Sequence, residues 1–342
     1  ERLLPETTRR MDGDSMKVLI LSPHLDAPFG AGKGTQRTGT LSPLRAHWHR
    51  FVKNLAEFHR REGNEVVVCE DYMWNFKIGN IPRPGQWDRI YVPHKTREQF
   101  GSTHPGLRFW MQTVFPHLFT VDCDGWGASH SKYPFDHLPL EAAEDWMQMK
   151  HWTDLCVRMM KNESKFDQPK TYTSDLKADG FLFFPCQLPH DETIKFHSEF
   201  EVIDCLRAVC DYATAKKLKL LVKGHPINPG SMAPLRGLVE TYDRNYVEWS
   251  DEYSIHDYLA NARTVFTVNS GVGFEALLHN KPVVTFGRCE YDEVTQRLTP
   301  DTVDQVDLDM KCSYSHKAFT EEFVEKYCVD SSKINSFRIN KV

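Results

Sequence analysis

No run of eighteen apolar residues occurs in this 342-residue chain. A transmembrane helix, which takes about 20 such residues, is therefore not expected. Nine cysteines are scattered at 69, 123, 156, 186, 205, 210, 289, 312 and 328, and none forms a CxxC pair. That spacing argues against a zinc site and for reduced, mostly buried thiols in a cytoplasmic protein. A basic surplus is also missing: 42 Lys and Arg stand against 47 Asp and Glu, a net charge of -5. Proteins that live on nucleic acid usually carry the opposite balance. The segment Glu1 to Ser15 is charged and has no apolar stretch. It reads as a disordered tail or expression remnant rather than a signal peptide.

The length suits two domains of roughly 150 residues each. Lys17 to Leu21 is a short apolar run that reads as a buried parallel strand. Leu44 to Arg61 places Trp48, Phe51, Val52, Leu55 and Phe58 on one helical face, Gly63-Asn64 ends it, and Glu65 to Cys69 is the next strand. Strand, helix, strand is a βαβ unit. Arg89 to Val92 and Leu118 to Val121 are further strands, and Glu141 to Lys161 is a helix. The polar stretch Lys165 to Gly180 is the expected boundary, dividing an N-terminal domain over 16–170 from a C-terminal domain over 171–342. The second half repeats the alternation, with strands at Phe181–Pro185, Leu218–Lys223, Val247–Trp249, Thr264–Val268 and Pro282–Phe286. A last helix, Lys317 to Tyr327, is placed to pack back across the pair. The expected fold class is α/β, two doubly wound Rossmann-like domains with the ligand crevice between them.

Four strand-end segments carry candidate chemistry. Val268 feeds the small-residue turn Asn269-Ser270-Gly271 and a helix that opens near Gly273. Such a turn aims backbone N–H groups at an anion, with Gly271 and Gly273 permitting close approach. Glu275 then falls in the first helical turn, where it could accept from a ribose diol. Lys223-Gly224-His225-Pro226 also ends a strand, and its Lys and His could donate to phosphate. Gln187 and Asp191 follow the strand that ends at Pro185, and Asp191 could serve as general base or nucleophile. In the first half, Asp122 and Asp124 flank Cys123 ahead of Gly125 and could activate an acceptor hydroxyl. Each segment is also compatible with an ordinary turn.

Gly30-Ala31-Gly32-Lys33-Gly34 looks like a phosphate loop, but the position that needs the first glycine is Ala27. A glycine-rich acceptor or lid loop carrying Lys33 fits better. His24 and Asp26, with His94 and His104 further along, match no metal-ligand spacing, so no metal is expected. His24 and Asp26 are instead assigned, with Lys33, to the acceptor side.

Taken as a set, Gln187-x-x-x-Asp191, Lys223-x-His225-Pro226, Asn269-Ser270-Gly271-Val272-Gly273-Phe274-Glu275 and Lys281-Pro282-Val283-Val284-Thr285-Phe286-Gly287-Arg288 with Tyr291 resemble the capsule polysaccharide biosynthesis family, which includes bacterial Kdo transferases. Asp124-Gly125 resembles that family's acidic-glycine motif. The resemblance implies a GT-B fold, with the donor held by the C-terminal domain and the acceptor by the N-terminal one. It implies that His225 contacts the donor phosphate, that Ser270 and Glu275 hold phosphate and ribose, and that no cofactor or obligatory metal is needed. Arg288 joins the donor side. Asp191 would be the catalytic carboxylate, with Asp124 as the competing candidate.

The expected function is transfer of a sugar from a CMP- or UDP-linked donor to a hydroxyl on a glycan or glycolipid. An alternative acceptor is DNA with hydroxymethylated bases, for which Arg37, Arg45, His47, Arg50, Lys53, Arg60 and Arg61 would supply a basic face. Two further readings are a nucleotide-sugar binding protein without turnover and a nucleotide kinase using Lys33.

Overall fold

A computed structural model describes residues 15–23, 43–70, 81, 83–135, 149–163, 165, 176, 180–338 and 342. His24, Asp26, Lys33 and the glycine-rich loop lie outside the described residues. So do residues 1–14, the first turns of the helix expected from Glu141 and most of the expected domain boundary.

The first sheet holds β1 (Lys17–Leu21), β2 (Glu65–Cys69), β3 (Arg89–Pro93), β4 (Leu107–Gln112) and β5 (Leu118–Asp122). β1 to β4 run parallel and β5 turns back against β4. Helix α1 (Pro43–Arg61) lays Trp48, Phe51, Val52 and Leu55 onto one face, where Phe51 stacks on Phe119 at 4.4 Å. Gly63 stops the chain after α1 at φ +78, a conformation that costs other residues more. A single helical turn, α2 (Arg97–Phe100), follows β3, and α3 (Lys150–Met160) leads toward the second half.

The second sheet is all parallel: β6 (Phe181–Pro185), β7 (Leu220–Lys223), β8 (Val247–Trp249), β9 (Ala262–Thr267), β10 (Val283–Thr285) and β11 (Gln296–Arg297). Between them lie α4 (Glu192–His197), α5 (Val202–Lys216), α6 (Ala233–Val239), α7 (Ile255–Asn261) and α8 (Gly271–Leu278). The strand order β11-β10-β9-β6-β7-β8 reverses direction between β6 and β9. In an open α/β sheet a ligand binds at that reversal, outside the carboxyl ends of the two strands.

Helix α9 (Ser313–Tyr327) then carries the chain back, and β12 (Cys328–Asp330) pairs antiparallel with β5 on the edge of the first sheet. One apolar core joins the halves. Phe115 and Phe135 from the first half pack in it with Phe274, Phe319 and Phe323, and Phe319 stacks on Phe323 at 5.6 Å. The loops after β3 and β4 meet those after β6, β9 and β10, so the two carboxyl edges face each other, as a GT-B fold requires. All nine cysteines are free, and six are buried. Among the described residues no helix is long and apolar enough to cross a membrane.

Five elements go beyond the sequence reading. β4, β11, β12, α2 and α4 are six residues or fewer, too short to show a period. Helix α8 also begins two residues earlier than expected, because the Ser270 hydroxyl caps it by accepting from Val272 N at 3.2 Å. Glu275 is therefore one turn inside the helix and buried, not in the first turn.

Candidate active site

The β6/β9 reversal is tied together by side chains. Gln187 Oε1 accepts from Asn269 N at 2.9 Å, and Gln187 Nε2 donates to Asn269 Oδ1 at 2.9 Å. Asn269 Nδ2 in turn donates to Thr193 O at 2.9 Å. Both residues are at most 5% exposed. Their polar groups are spent on joining the strand ends to α4, so they position the site rather than face an open ligand space.

Asp191 caps α4. Its Oδ1 accepts from both Thr193 N and Thr193 Oγ1 at 2.9 Å. Among the described residues no hydrogen bond reaches Oδ2. One carboxylate oxygen is therefore anchored to the first turn of α4.

His225 follows β7, close enough to Asp191 to feel its charge. Burial lowers the His225 pKa, with Asp191 opposing and His190 assisting. Its Nδ1 accepts from Ile227 N at 3.3 Å, which leaves the proton of the neutral ring on Nε2. Beside it opens a hollow of about 440 Å³ lined by His225, Pro226, Met232, Arg236, Trp249 and Asp251 among others. That volume falls within the range of small-molecule sites. Lys223 borders it, but its ammonium donates to Asp251 O at 3.2 Å and lies 5.3 Å over the Tyr258 ring. The Asp251 carboxylate accepts from Gly224 N at 2.8 Å and Trp249 Nε1 at 2.6 Å. A Cβ on Gly224 would stand 2.7 Å from Trp249 Cζ2, so glycine is required by the indole. Trp249, Asp251 and Arg236 were not anticipated, since nothing in the local sequence links them to Lys223 and His225.

At the start of α8, the Tyr291 hydroxyl donates to Ser270 O, and a Cβ on Gly273 would stand 2.2 Å from that hydroxyl oxygen. Gly273 therefore makes room for Tyr291. Gly271 is different: an added Cβ would meet only Val114 Cα, at 4.0 Å across the cleft. The exposed Arg288 sits on the same wall, its carbonyl accepting from Asn269 Nδ2 at 3.4 Å.

The first half reaches α4 directly. His94 Nδ1 lies 2.9 Å from Glu192 Oε2, and Lys95 Nζ 3.7 Å from Oε1. Burial pushes the Glu192 pKa up, but His94 and Lys95 outweigh it and hold the carboxyl below its ordinary value. Ser129 Oγ pairs with His197 Nε2 at 2.7 Å, and Trp126 packs edge-on against the same ring. Deeper in the cleft, Thr113 Oγ1 donates to Glu290 Oε1 at 3.3 Å. Lys165 donates to Gln112 O at 3.4 Å, and its ammonium feels the carboxylates of Glu290, Glu275 and Asp191 together. Burial lowers the Lys165 pKa and those carboxylates oppose it. Glu192, His197, Glu290 and Lys165 gave no signal in the sequence.

Asp124 is placed otherwise. Its carboxylate accepts from Arg97 Nε at 3.2 Å and is about half exposed. Asp122 is buried and accepts from the N–H groups of Asp124, Gly125 and Ser131, so it shapes the turn. Asp191, His225, Gln187, Asn269, Ser270, Gly273 and Glu275 are thus gathered at one sheet edge, while Asp124 is engaged on the other half.

The family model described as capsule polysaccharide biosynthesis protein matches residues 130–307. The chain belongs to this family. The matched stretch contains every candidate of the second half and leaves Asp124 outside. Among curated relatives, Protein FixF of Sinorhizobium fredii is 33% identical over 34% of this chain and 28% of its own length. The capsule polysaccharide export protein KpsS of Escherichia coli is 31% identical over 31% of this chain and 29% of its own. The alignments thus cover less than a third of either relative. Among solved structures, the Thermosulfurimonas dismutans KpsC beta Kdo 2,7 transferase is similar with a TM-score of 0.48 and 19% identity, over 73% of this chain and 80% of that one.

Proposed function

We propose that this capsule polysaccharide family protein is a cytoplasmic glycosyltransferase that moves a sugar from a CMP- or UDP-linked donor to a hydroxyl of a glycan or glycolipid. The observation that carries the reading is Asp191 after β6, with one anchored carboxylate oxygen, near enough to His225 after β7 for its charge to act on the ring that borders the 440 Å³ hollow.

In this reading the nucleotide lies along the β7 and β9 ends, with its base in the hollow beside Trp249. His225 donates Nε2–H to the leaving phosphate, and the N–H groups at the start of α8 face the same charge. Asp191 acts on the opposite side. As a base it takes the acceptor hydroxyl proton while the hydroxyl oxygen bonds to the anomeric carbon and the phosphate leaves. As a nucleophile it would bond to that carbon first and be displaced by the acceptor. The acceptor enters from the first half, past His94, Trp126 and Asp124. Because His225 and backbone groups supply the donors to the phosphate, transfer needs no obligatory metal.

The test is a melting series with CMP, UDP, GDP and ADP, followed by turnover with the matching sugar nucleotides and a chelator. A ligand that binds only the folded chain raises its melting point, by about 2.7 kcal/mol of stability at a hundred times its Kd. CMP or UDP is expected to stabilise, and the chelator to leave turnover unchanged. No stabilisation by any nucleotide would remove the donor site, and loss of turnover with chelator would remove the metal-free mechanism.

A further inference from the structure

Asp191 belongs to the second half, yet the helix it caps is held from the first. Helix α4 has six residues. A helix this short does not persist in water by its own hydrogen bonds, so its packing decides where it lies. Near its start, Thr193 O and Oγ1 accept from Asn269 Nδ2 and Gln187 Nε2 of the second half. Two further grips come from the first half, one at each end.

At the N-terminal end the grip is on Glu192, the residue directly after Asp191. His94 Nδ1 and Lys95 Nζ take one carboxylate oxygen each, at 2.9 and 3.7 Å. His94 makes this contact from a backbone φ of +52, which residues other than glycine seldom adopt. At the C-terminal end the grip is on the buried His197 ring. Ser129 Oγ lies 2.7 Å from its Nε2, and Trp126 meets it edge-on with centroids 5.0 Å apart. The chain passes close beneath the ring at Gly127, where a Cβ would stand 3.2 Å from His197 Cε1. The His197 carbonyl accepts from Arg288 N at 2.8 Å, tying the same end to the loop after β10.

Holding both ends of α4 fixes its axis. Asp191 Oδ1 is bound to that axis through Thr193 N and Oγ1. A reacting carboxylate must stand within about 0.5 Å of its productive place. The proposed donor contacts are oriented otherwise: Ile227 N donates to His225 Nδ1 and Val272 N to Ser270 Oγ, both within the second half. We propose that Glu192 and His197 are positioning residues, through which the first half sets the place of the Asp191 carboxylate. The proposal rests on the transfer reaction above, in which Asp191 acts as base or nucleophile. Loosening either grip then slows the chemical step and spares nucleotide binding.

The test is Glu192→Ala in the whole chain, read by turnover, nucleotide calorimetry and hydrogen exchange. The expected result is a kcat lower by roughly 10- to 100-fold, the cost of a small misplacement, with nucleotide Kd unchanged. Exchange should quicken at the amides of Thr193 and Lys195, which bond to Asp191, and stay unchanged along β7. Ser129→Ala releases the other end by a single hydroxyl and is expected to act in the same direction, so the outcome does not hang on one variant folding. Lys195→Ala, exposed on the same helix, is the control and is expected to change none of the three readings. Quicker exchange with kcat unchanged, unaltered exchange and rate in both variants, or a rate loss shared by Lys195→Ala overturns the proposal. Absence of turnover in the unsubstituted chain overturns the transferase reading instead, and exchange at α4 then still decides whether the first half holds the helix.

Discussion

The two sheets face each other with similar strands but differently built edges. At the second sheet, loops from three strands are stitched by side chains: Gln187 after β6 to Asn269 after β9, both to Thr193 on α4, and Asn269 to the Arg288 carbonyl after β10. At the first sheet, Asp122 organises only its own turn, and the edge reaches across through His94, Lys95 and Ser129. The second edge is built to hold several groups at fixed separations, which is what stabilising a transition state demands. The first edge presents an exposed, arginine-paired Asp124 and contacts that grip a helix.

The comparison breaks most visibly at the two carboxylates. Asp191→Asn keeps a good helix cap while removing the base or nucleophile. It is expected to lower kcat by roughly 10²- to 10⁴-fold with nucleotide affinity preserved in a binding titration. Asp124→Asn is expected to cost far less, and the reverse order of effects would move the chemistry to the first half. Next in size is Gly273→Ala, which drives a methyl into Tyr291. Overpacking of this kind costs about 1–3 kcal/mol, readable from the denaturant midpoint, whereas Gly271→Ala meets open space and should leave stability nearly unchanged. His225→Ala is expected to weaken nucleotide binding roughly tenfold, the worth of a hydrogen bond to a charged phosphate. A calorimetric Kd equal to that of the unsubstituted chain would take His225 off the donor.

The smallest effect near neutrality is that of acid. Burial holds His59 and His117 in the first half, and His197, His256 and His316 in the second, at about 4, and His279 at about 3, with Arg89, Arg158, Arg288 and His256 adding to it at His59, His117, His197 and His279 respectively. Each binds its proton more readily when unfolded, near 6.5. Their contribution is therefore complete above about pH 6.5 and is lost as pH falls toward 4. With four of the six in the second half, hydrogen exchange measured on a falling pH series should show that half loosening first. Uniform loosening would mean that the shared core couples the halves too tightly to separate.

Much of the second half was legible in the residues. Its strands are short apolar runs ending in His-Pro or Asn-Ser-Gly, and the turn residues stand where the parallel sheet needs them. The roles inside those motifs were less legible. Gln187 and Asn269 have the polar groups of ligand contacts, and only their mutual hydrogen bonds show that they join loops. Gly273 and Gly271 look equivalent in sequence, yet one accommodates Tyr291 and the other faces the opposite half. Helix α4 is six residues long and without a period, so Glu192 and His197 were missed with it.

What the sequence determined by itself was the alternation of β and α, the family motifs and their order, because periodicity and turn chemistry are local. The tertiary structure decided which polar groups are spent and which are open. His94 meets Glu192 across 98 residues and Gln187 meets Asn269 across 82. No local pattern encodes such pairs. They arise when two sheets bring their carboxyl edges together and every buried donor and acceptor must find a partner.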